Sequence, residues 1–183
     1  MTSYCEYILS HPQDEFNKRY HDTEYGFPLK DDNLLFERLI LEINQAGLSW
    51  ITILKKADNF RRAYDGFDIA KIAAYSEEDR ARLLEDAGII RNRLKVNAAI
   101  ENAKRIQELR KEHGSFKAWL DSYAAQSLTK EDWIKLFKKT FVFTGGEIVN
   151  EFLVSSGYLP GAHDQDCPIY KKVASLRPAW LNK

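Results

Sequence analysis

The sequence predicts an all-α protein. Apolar residues recur at helical spacing in several segments, most clearly over residues 33–45 and 92–112. Residues that favour helix starts precede these segments, while the alternation typical of a half-buried strand is nowhere sustained. The 183 residues contain no repeat, linker or low-complexity tract, and 44% of them are hydrophobic, which is enough for a buried core. We therefore expect one helical domain, or a two-lobed one, with short connections.

Each predicted helix begins after a residue that can cap a first helical turn. In chain order, these residues are Asp31 or Asp32, Ser49, Asp58, Asp68, Ser76, Asn92, Ser115, Thr129 and Gly145–Gly146. The first helix is expected to run to about Gln45, because apolar side chains keep helical spacing up to that point. The helix after Ser49 is expected to be short, Trp50–Lys56, because Asp58 can begin a new one.

The later helices follow from the same signals. The segment "SEED", Ser76–Asp79, resembles a capping box with Asp in the Glu position, and its helix is expected to end at Gly88. The long helix after it should end at about Glu112. The last predicted helix, Glu147–Ser156, is closed by Gly157. The head of the chain and the tail beyond this glycine are expected to be irregular.

The composition gives no sign of a nucleic-acid partner. Lys and Arg total 27 and Asp and Glu total 27, so the net charge is zero and any DNA-binding surface must be a local patch. No apolar run approaches the roughly 18 residues of a membrane span, and the N-terminus lacks the apolar core of a signal peptide. We expect a soluble cytoplasmic protein without membrane contact.

Residues that could bind a metal lie near the two ends of the chain. Cys167 and His163 form an H-x3-C pair in the tail, while Cys5 and His21 lie near the start. In a reducing compartment the two cysteines are free thiols or metal ligands. A Cys2His2 set would satisfy tetrahedral zinc, and one ion would fasten both ends. The alternative is a chance H-x3-C pair.

A second candidate site is the segment "LLEDAGIIRNRLKVNAAI", Leu83 to Ile100. The turn at Gly88 can expose backbone N–H groups, and the N-terminus of the next helix adds its positive dipole end, so the pair could hold a phosphate. Arg91, Arg93 and Lys95 supply charge nearby. The segment resembles the helix-hairpin-helix element of DNA-binding proteins. An ordinary corner between two helices with a glycine cap is the alternative.

Tyrosines in and near "RYHDTEYG", Arg19 to Gly26, could line a pocket with flat, partly polar walls. These are Tyr20, Tyr25 and, upstream, Tyr7. Alternatively, each of them simply bridges core and surface.

The stretch "LEINQAGLSW", Leu41 to Trp50, contains the acidic residue Glu42 in a position that indicates a functional role. Helical spacing places Glu42 at the edge of an apolar stripe, where a carboxylate is costly unless it is paired or used. Gly47 then allows a tight turn, on which Leu48 would protrude in front of the aromatic Trp50. The alternative is a surface-edge acid paired with Arg38 at i−4.

Taken together, these residues resemble the 3-methyladenine DNA glycosylase I family of the helix-hairpin-helix superfamily. The matching segments cover nearly the whole chain in order: "YHDTEYG", "LFERLILEINQAGLSWITILKK", "FR", "FD", "DAGIIRNRLKVNAAIENA", "GSF", "FVFTGGEIVNEF" and "HDQDC". The combination of "QAGLSW" with "AGIIRNR" downstream is more specific than any single motif. The resemblance implies one glycosylase domain over residues 1–183, with two helical lobes and a helix-hairpin-helix at about 79–105.

The resemblance also assigns roles to residues. It implies structural zinc bound by Cys5, His21, His163 and Cys167. It implies a catalytic Glu42 in a base pocket with Tyr20 and Trp50, with Tyr25 and Tyr7 as further walls. It implies DNA contacts by Gly47, Leu48, Gly88, Ile90, Arg91 and Arg93. The family usually has Trp where this chain has Tyr25, Gln where it has Asn44, and a neutral residue where it has Glu147.

The implied activity is hydrolysis of the N-glycosidic bond of 3-methyladenine in duplex DNA, with free 3-methyladenine as product. An adenine alkylated at N3 is cationic, so its bond to the sugar is already weakened, and Glu42 would accept hydrogen bonds from its edge. The resemblance implies a monofunctional enzyme that does not cleave the strand, and no lysine occupies an obvious nucleophile position. We expect a monomer. The alternatives are a non-catalytic DNA- or nucleobase-binding relative and a glycosylase with a shifted lesion range.

Overall fold

A computed structural model of the chain describes residues 3–182, and within that range it contains helices but no strands. The all-α prediction is confirmed. The α-helices are α1 (Tyr4–Ser10), α2 (Glu15–Thr23), α3 (Asp32–Gln45), α4 (Trp50–Ala63), α5 (Ile69–Ala73), α6 (Glu77–Glu85), α7 (Arg93–His113), α8 (Phe116–Ala124), α9 (Lys130–Thr140), α10 (Gly146–Ser155) and α11 (Pro168–Ser175). Short 3-10 helices follow α4 at Asp65–Phe67 and α11 at Ala179–Leu181.

Most of the predicted helix starts are confirmed by side-chain caps. The Asp31 carboxylate accepts a hydrogen bond from the Leu34 backbone N–H at 3.0 Å and so begins α3. Ser76 and Asp79 form a reciprocal capping box at α6. The predicted caps of the later helices also accept a backbone N–H of the first turn; these are Asn92, Ser115 and Thr129.

Two predicted helix boundaries were wrong. Helix α4 does not end at Lys56 but continues to Ala63, because Asp58 stays in the helix and pairs with Arg61 one turn later at 2.8 Å. Helix α6 ends at Glu85 rather than at Gly88. Gly88 therefore lies within the connection to α7 and is not a glycine helix cap.

The head and tail of the chain are also more regular than expected. A capping box between Ser3 and Glu6 begins α1, and the Asp14 carboxylate caps α2. In the tail, Pro168 occupies the first turn of α11, where its missing N–H costs nothing. The prediction of irregular ends was wrong because these helices have only seven to nine residues and too few turns for a clear periodicity.

Helix α3 passes through the middle of the molecule and packs against α4, α7, α8 and α10. Every residue from Leu35 to Asn44 is buried, including the charged ones. Glu37 pairs with Arg61 at 2.7 Å, and Arg38 donates a hydrogen bond to the Ser155 carbonyl at 2.9 Å. The buried charges of α3 thus have partners, with Glu42 as the exception described below.

None of the helices within residues 3–182 is long and apolar enough to cross a membrane.

Candidate active site and metal cluster

A cavity of about 280 Å³ lies where α1, α2, α3, α4 and α10 meet. Its wall combines four aromatic side chains with polar and acidic ones. The lining residues are Tyr4, Asn17, Tyr20, Tyr25, Glu42, Gln45, Trp50 and Glu151. Flat aromatic walls with a few convergent polar groups are typical of a site that binds a small planar ligand.

Glu42 is the unusual group of this cavity. Its side chain is buried, with 4% relative exposure, and it forms no hydrogen bond or ion pair within residues 3–182. Burial raises the pKa of Glu42 to about 8; Arg38 opposes this rise and Glu151 adds to it. The carboxyl group therefore retains its proton near neutral pH until something in the cavity favours its charged form.

The alternative explanation of Glu42, a surface-edge acid paired with Arg38, was wrong. The guanidinium of Arg38 instead bonds to the Ser155 carbonyl, lies 3.8 Å from the Glu24 carboxylate and stacks over the Tyr20 ring at 5.1 Å. Arg38 thus stabilises the charged form of Glu42 only electrostatically, without a hydrogen bond or ion pair to it.

The four aromatic side chains of the wall form one connected group. The rings of Tyr20 and Trp50 are 5.1 Å apart, and those of Tyr20 and Tyr25 are 5.6 Å apart. The Tyr20 hydroxyl and the Trp50 indole N–H are buried without any hydrogen-bond partner among the described residues. Buried polar atoms normally have a hydrogen-bond partner. Two unpaired donors that line one cavity therefore indicate that a bound ligand or water accepts their hydrogen bonds.

The fourth aromatic wall is Tyr4, and not Tyr7 as predicted. Tyr7 does not line the cavity: its ring stacks on His11 at 4.2 Å, and its hydroxyl donates to the Asp14 carboxylate at 2.9 Å. The Tyr4 ring meets Tyr25 edge-on at 5.2 Å. Because α1 was expected to be irregular, nothing in the sequence showed which face of it turned inward.

Three further lining residues were missed, namely Asn17, Gln45 and Glu151. Asn17 follows the cap of α2, and its amide accepts a hydrogen bond from the Tyr4 hydroxyl at 2.8 Å. Glu151 is an acid within the otherwise mostly apolar helix α10, and this unusual position is the sequence feature that could have identified it as a site residue.

The turn after α3 has the predicted form. Gly47 adopts φ +80°, which a side chain would disfavour, and Leu48 is 39% exposed. The Lys95 ammonium group is buried and donates to the carbonyls of Asn44 and Ala46 at 2.8 and 2.7 Å. It thereby satisfies carbonyls at the C-terminal end of α3 and connects this turn to α7.

Four of the six predicted DNA-contacting residues, Gly88, Ile90, Arg91 and Arg93, lie between the end of α6 and the first residue of α7. Arg91 and Arg93 are exposed and form no ion pair among the described residues, and Ile90 is half-buried. The backbone N–H of Gly88 donates to the Asp86 carboxylate at 2.7 Å. A Cβ atom on Gly88 would lie 2.9 Å from that carboxylate, so the space fits only glycine without a shift.

The four predicted metal ligands are brought together. Candidate ligand atoms of Cys5, His21, His163 and Cys167 all lie within 4.8 Å of one another, and all four residues are buried. A tetrahedral zinc ion would place a sulfur and a nitrogen ligand about 3.6 Å apart and two nitrogens about 3.3 Å apart. The structure has 3.3 to 3.9 Å for the sulfur–nitrogen pairs and 3.2 Å between His21 Nε2 and His163 Nδ1. The cluster can hold a metal of this size.

The hydrogen bonds that the two histidine rings make outside the cluster are also compatible with metal binding. His21 Nδ1 donates to the Asp22 carboxylate at 2.8 Å, and His163 Nε2 donates to the Tyr25 carbonyl at 2.7 Å. Each ring thus turns its other nitrogen toward the cluster, as metal-binding histidines do. The cluster also adjoins the cavity, because Tyr4 precedes Cys5 and Tyr20 precedes His21 in the chain.

The fold is that of known DNA glycosylase structures. The structure of 3-methyladenine DNA glycosylase I (TAG) from Staphylococcus aureus superimposes with a TM-score of 0.78 at 31% identity, covering 86% of this chain and 92% of that one. A variant of 3-methyladenine DNA glycosylase I in complex with 3-methyladenine gives a TM-score of 0.78 at 32% identity, covering 86% and 93%.

Sequence comparison identifies the family. DNA-3-methyladenine glycosylase 1 of Escherichia coli (strain K12) is 37% identical over 179 residues, which cover 86% of this chain and 93% of that protein. Residues 10–140 match the model of the methyladenine glycosylase family. The chain belongs to this family, and the resemblance drawn from its motifs is confirmed.

Proposed function

We propose that this protein is a monofunctional DNA-3-methyladenine glycosylase that hydrolyses the N-glycosidic bond of 3-methyladenine in duplex DNA. The buried, unpartnered Glu42 is the observation that carries this proposal, since it faces a cavity with aromatic walls and two unsatisfied donors. The relatives support it, because they are named DNA-3-methyladenine glycosylases and one is bound to 3-methyladenine.

The chemistry suits a cavity with one deeply buried acid. The cationic base leaves with the electron pair of the glycosidic bond and becomes neutral, while water adds its hydroxide to C1′ and its proton goes to solvent. The cavity therefore has mainly to select and hold a flipped base, at a flipping cost of a few kcal/mol. Entry of the cation would favour the charged form of Glu42, so its proton would be released to solvent.

Different side chains of the cavity would recognise different features of the base. Tyr20 and Trp50 would stack on the cationic ring, a contact worth roughly 1–3 kcal/mol per base. Their free hydroxyl and indole N–H would donate to acceptors of the base or to a bound water. Glu42 would accept from donors at the base edge, for which a charge-assisted bond is the stronger kind.

We infer that duplex DNA is bound at two surface features. Leu48, exposed on its Gly47 turn, would enter the space that the flipped nucleotide leaves. The connection at Gly88, with Ile90, Arg91 and Arg93, would hold the phosphate backbone as a helix-hairpin-helix element. The two exposed arginines without ion pairs support this role.

We propose that the cluster of Cys5, His21, His163 and Cys167 holds a structural zinc ion. Four protein ligands complete a tetrahedral shell and leave no position for substrate or water, so the ion would supply cross-linking rather than chemistry. In this proposal the chain acts as a monomer and folds as one domain of two lobes.

Base release tests the proposed function. Duplex DNA treated with a methylating agent should yield free 3-methyladenine, identified by chromatography, when incubated with the protein. Glu42→Gln should abolish release, while Glu147→Gln, an exposed acid outside the cavity, should release base at the normal rate. Binding of abasic DNA by the unaltered protein without any base release would instead identify a non-catalytic relative.

A further inference from the structure

The cavity contains a second carboxylate, Glu151, which has no cationic partner among the described residues. Its two oxygens accept hydrogen bonds from neutral groups only, from the Tyr25 hydroxyl at 3.3 Å and from the Asn150 side-chain amide at 3.2 Å. The side chain is half-buried on α10, which packs against α3. Glu151 therefore faces the same space as Glu42 from the opposite helix.

The charges around Glu42 are not balanced within the cavity. On its own helix it is faced by Arg38, on α10 by Glu151, and on α2 and the following loop by the neutral phenols of Tyr20 and Tyr25. Arg38 does not line the cavity and is engaged with the Ser155 carbonyl. The two carboxyl groups consequently repel each other when both are charged.

We propose that Glu151 is a specificity-determining residue, which together with Glu42 makes the cavity select cationic bases against neutral bases. This inference rests on the proposed function and names the property of the base that the site reads. The unpartnered Tyr20 hydroxyl and Trp50 N–H indicate independently that a ligand completes this cavity.

The selection follows from electrostatics. A cationic base placed between two carboxylates is attracted by both and relieves their mutual repulsion, whereas a neutral base of the same shape does neither. Removing one of the two charges should therefore weaken binding of the cation much more than binding of the neutral base. A half-buried carboxylate a few ångströms from the cation corresponds to about tenfold in affinity, or about 1.4 kcal/mol.

Calorimetric titration with two probes tests the proposal. The neutral probe is free 3-methyladenine in slightly alkaline buffer, and the cationic probe is 3,9-dimethyladeninium, whose 9-methyl group stands where the sugar would be attached. Glu151→Gln should weaken binding of the cation about tenfold and binding of the neutral base less than threefold. Glu147→Gln makes the same chemical change on the exposed side of α10 and should alter neither affinity.

The pH dependence supplies a readout that a purely structural role would not change. Burial, and to a smaller extent Glu151, raises the pKa of Glu42 to about 8. Because the charged form of Glu42 attracts the cation, affinity for the cation should increase as Glu42 loses its proton with rising pH in the unaltered protein. In Glu151→Gln this increase should occur at lower pH. An equal loss for both probes, or an unshifted pH profile, would overturn the role of Glu151. Failure of the unaltered protein to bind either probe would overturn the proposed function as well.

Discussion

Replacing Glu42 by Gln should make the protein more stable and inactive at the same time. Folding raises the pKa of this carboxyl from 4.5 to about 8, mainly because burial disfavours its charge. At about pH 7 the folded state must take up a proton that the unfolded state has lost. At 1.36 kcal/mol per pH unit above 4.5, this uptake costs about 3 kcal/mol. The neutral isostere Gln removes the cost without opening a cavity.

The sign of the pH dependence follows from the same two pKa values. Below pH 4.5 the carboxyl is protonated in both states and causes no penalty. Between pH 4.5 and about 8 this penalty grows, so Glu42 should make the unaltered protein progressively less stable as the pH rises. Above about 8 the penalty is constant. Glu42→Gln should lack this component, so the two unfolding curves should converge at acid pH.

Urea unfolding followed by circular dichroism, from about pH 5 to about pH 8, measures both effects. We expect Glu42→Gln to raise the free energy of unfolding by about 1.5–3 kcal/mol at about pH 7, or Tm by about 3–10 °C. Glu147→Gln, an exposed acid in the first turn of α10, should change it by less than about 1 kcal/mol. A less stable Glu42→Gln protein that keeps the pH dependence of the unaltered one would refute the reasoning, since Glu42 would then have a favourable partner in the folded state.

The remaining predictions concern the turn, the DNA surface, the stacking wall and the metal. Lys95→Met should lower the free energy of unfolding by about 1–3 kcal/mol, because the carbonyls of Asn44 and Ala46 lose their donor, and urea unfolding measures this. Gly88→Val should weaken binding of all DNA sequences alike, and Arg91→Ala should reduce the salt slope by about 1, both measured by fluorescence anisotropy. Trp50→Ala should weaken binding of free 3-methyladenine by roughly 1–3 kcal/mol in calorimetry. Protein purified without added metal should contain about one zinc per chain by elemental analysis, and Cys167→Ser should contain less.

Local signals in the sequence sufficed for much of the fold. Capping depends on residues within one turn, so Asp31 and Asn92 could be identified as helix starts without knowledge of the tertiary structure. The cost of Glu42 was equally readable, because helical spacing placed it beside apolar neighbours. Its complete burial was not, since that depends on the four helices that surround α3.

The other cavity walls required long-range packing. Which residue of α1 faced inward, Tyr4 or Tyr7, depended on a helix too short to show a period. Glu151 stood out as an acid in an apolar helix, but the packing of α10 against α3 decided that it met Glu42. Asp58 shows the opposite error, because a residue that favours helix starts can also lie in a helix interior when it pairs with an arginine one turn later.

The wall shared by the Cys/His cluster and the cavity would couple binding of the base to binding of the proposed metal. Three aromatic walls are fixed by cluster residues: Tyr4 and Tyr20 through the peptide bonds to Cys5 and His21, and Tyr25 through its bond to His163. A bound metal that rigidifies these walls would increase affinity for the base, and the base would then increase affinity for the metal by the same factor. At equilibrium, a given concentration of chelator should accordingly remove less metal from protein saturated with 3-methyladenine. Metal retention would thus report on the occupancy of a cavity that the metal itself never touches.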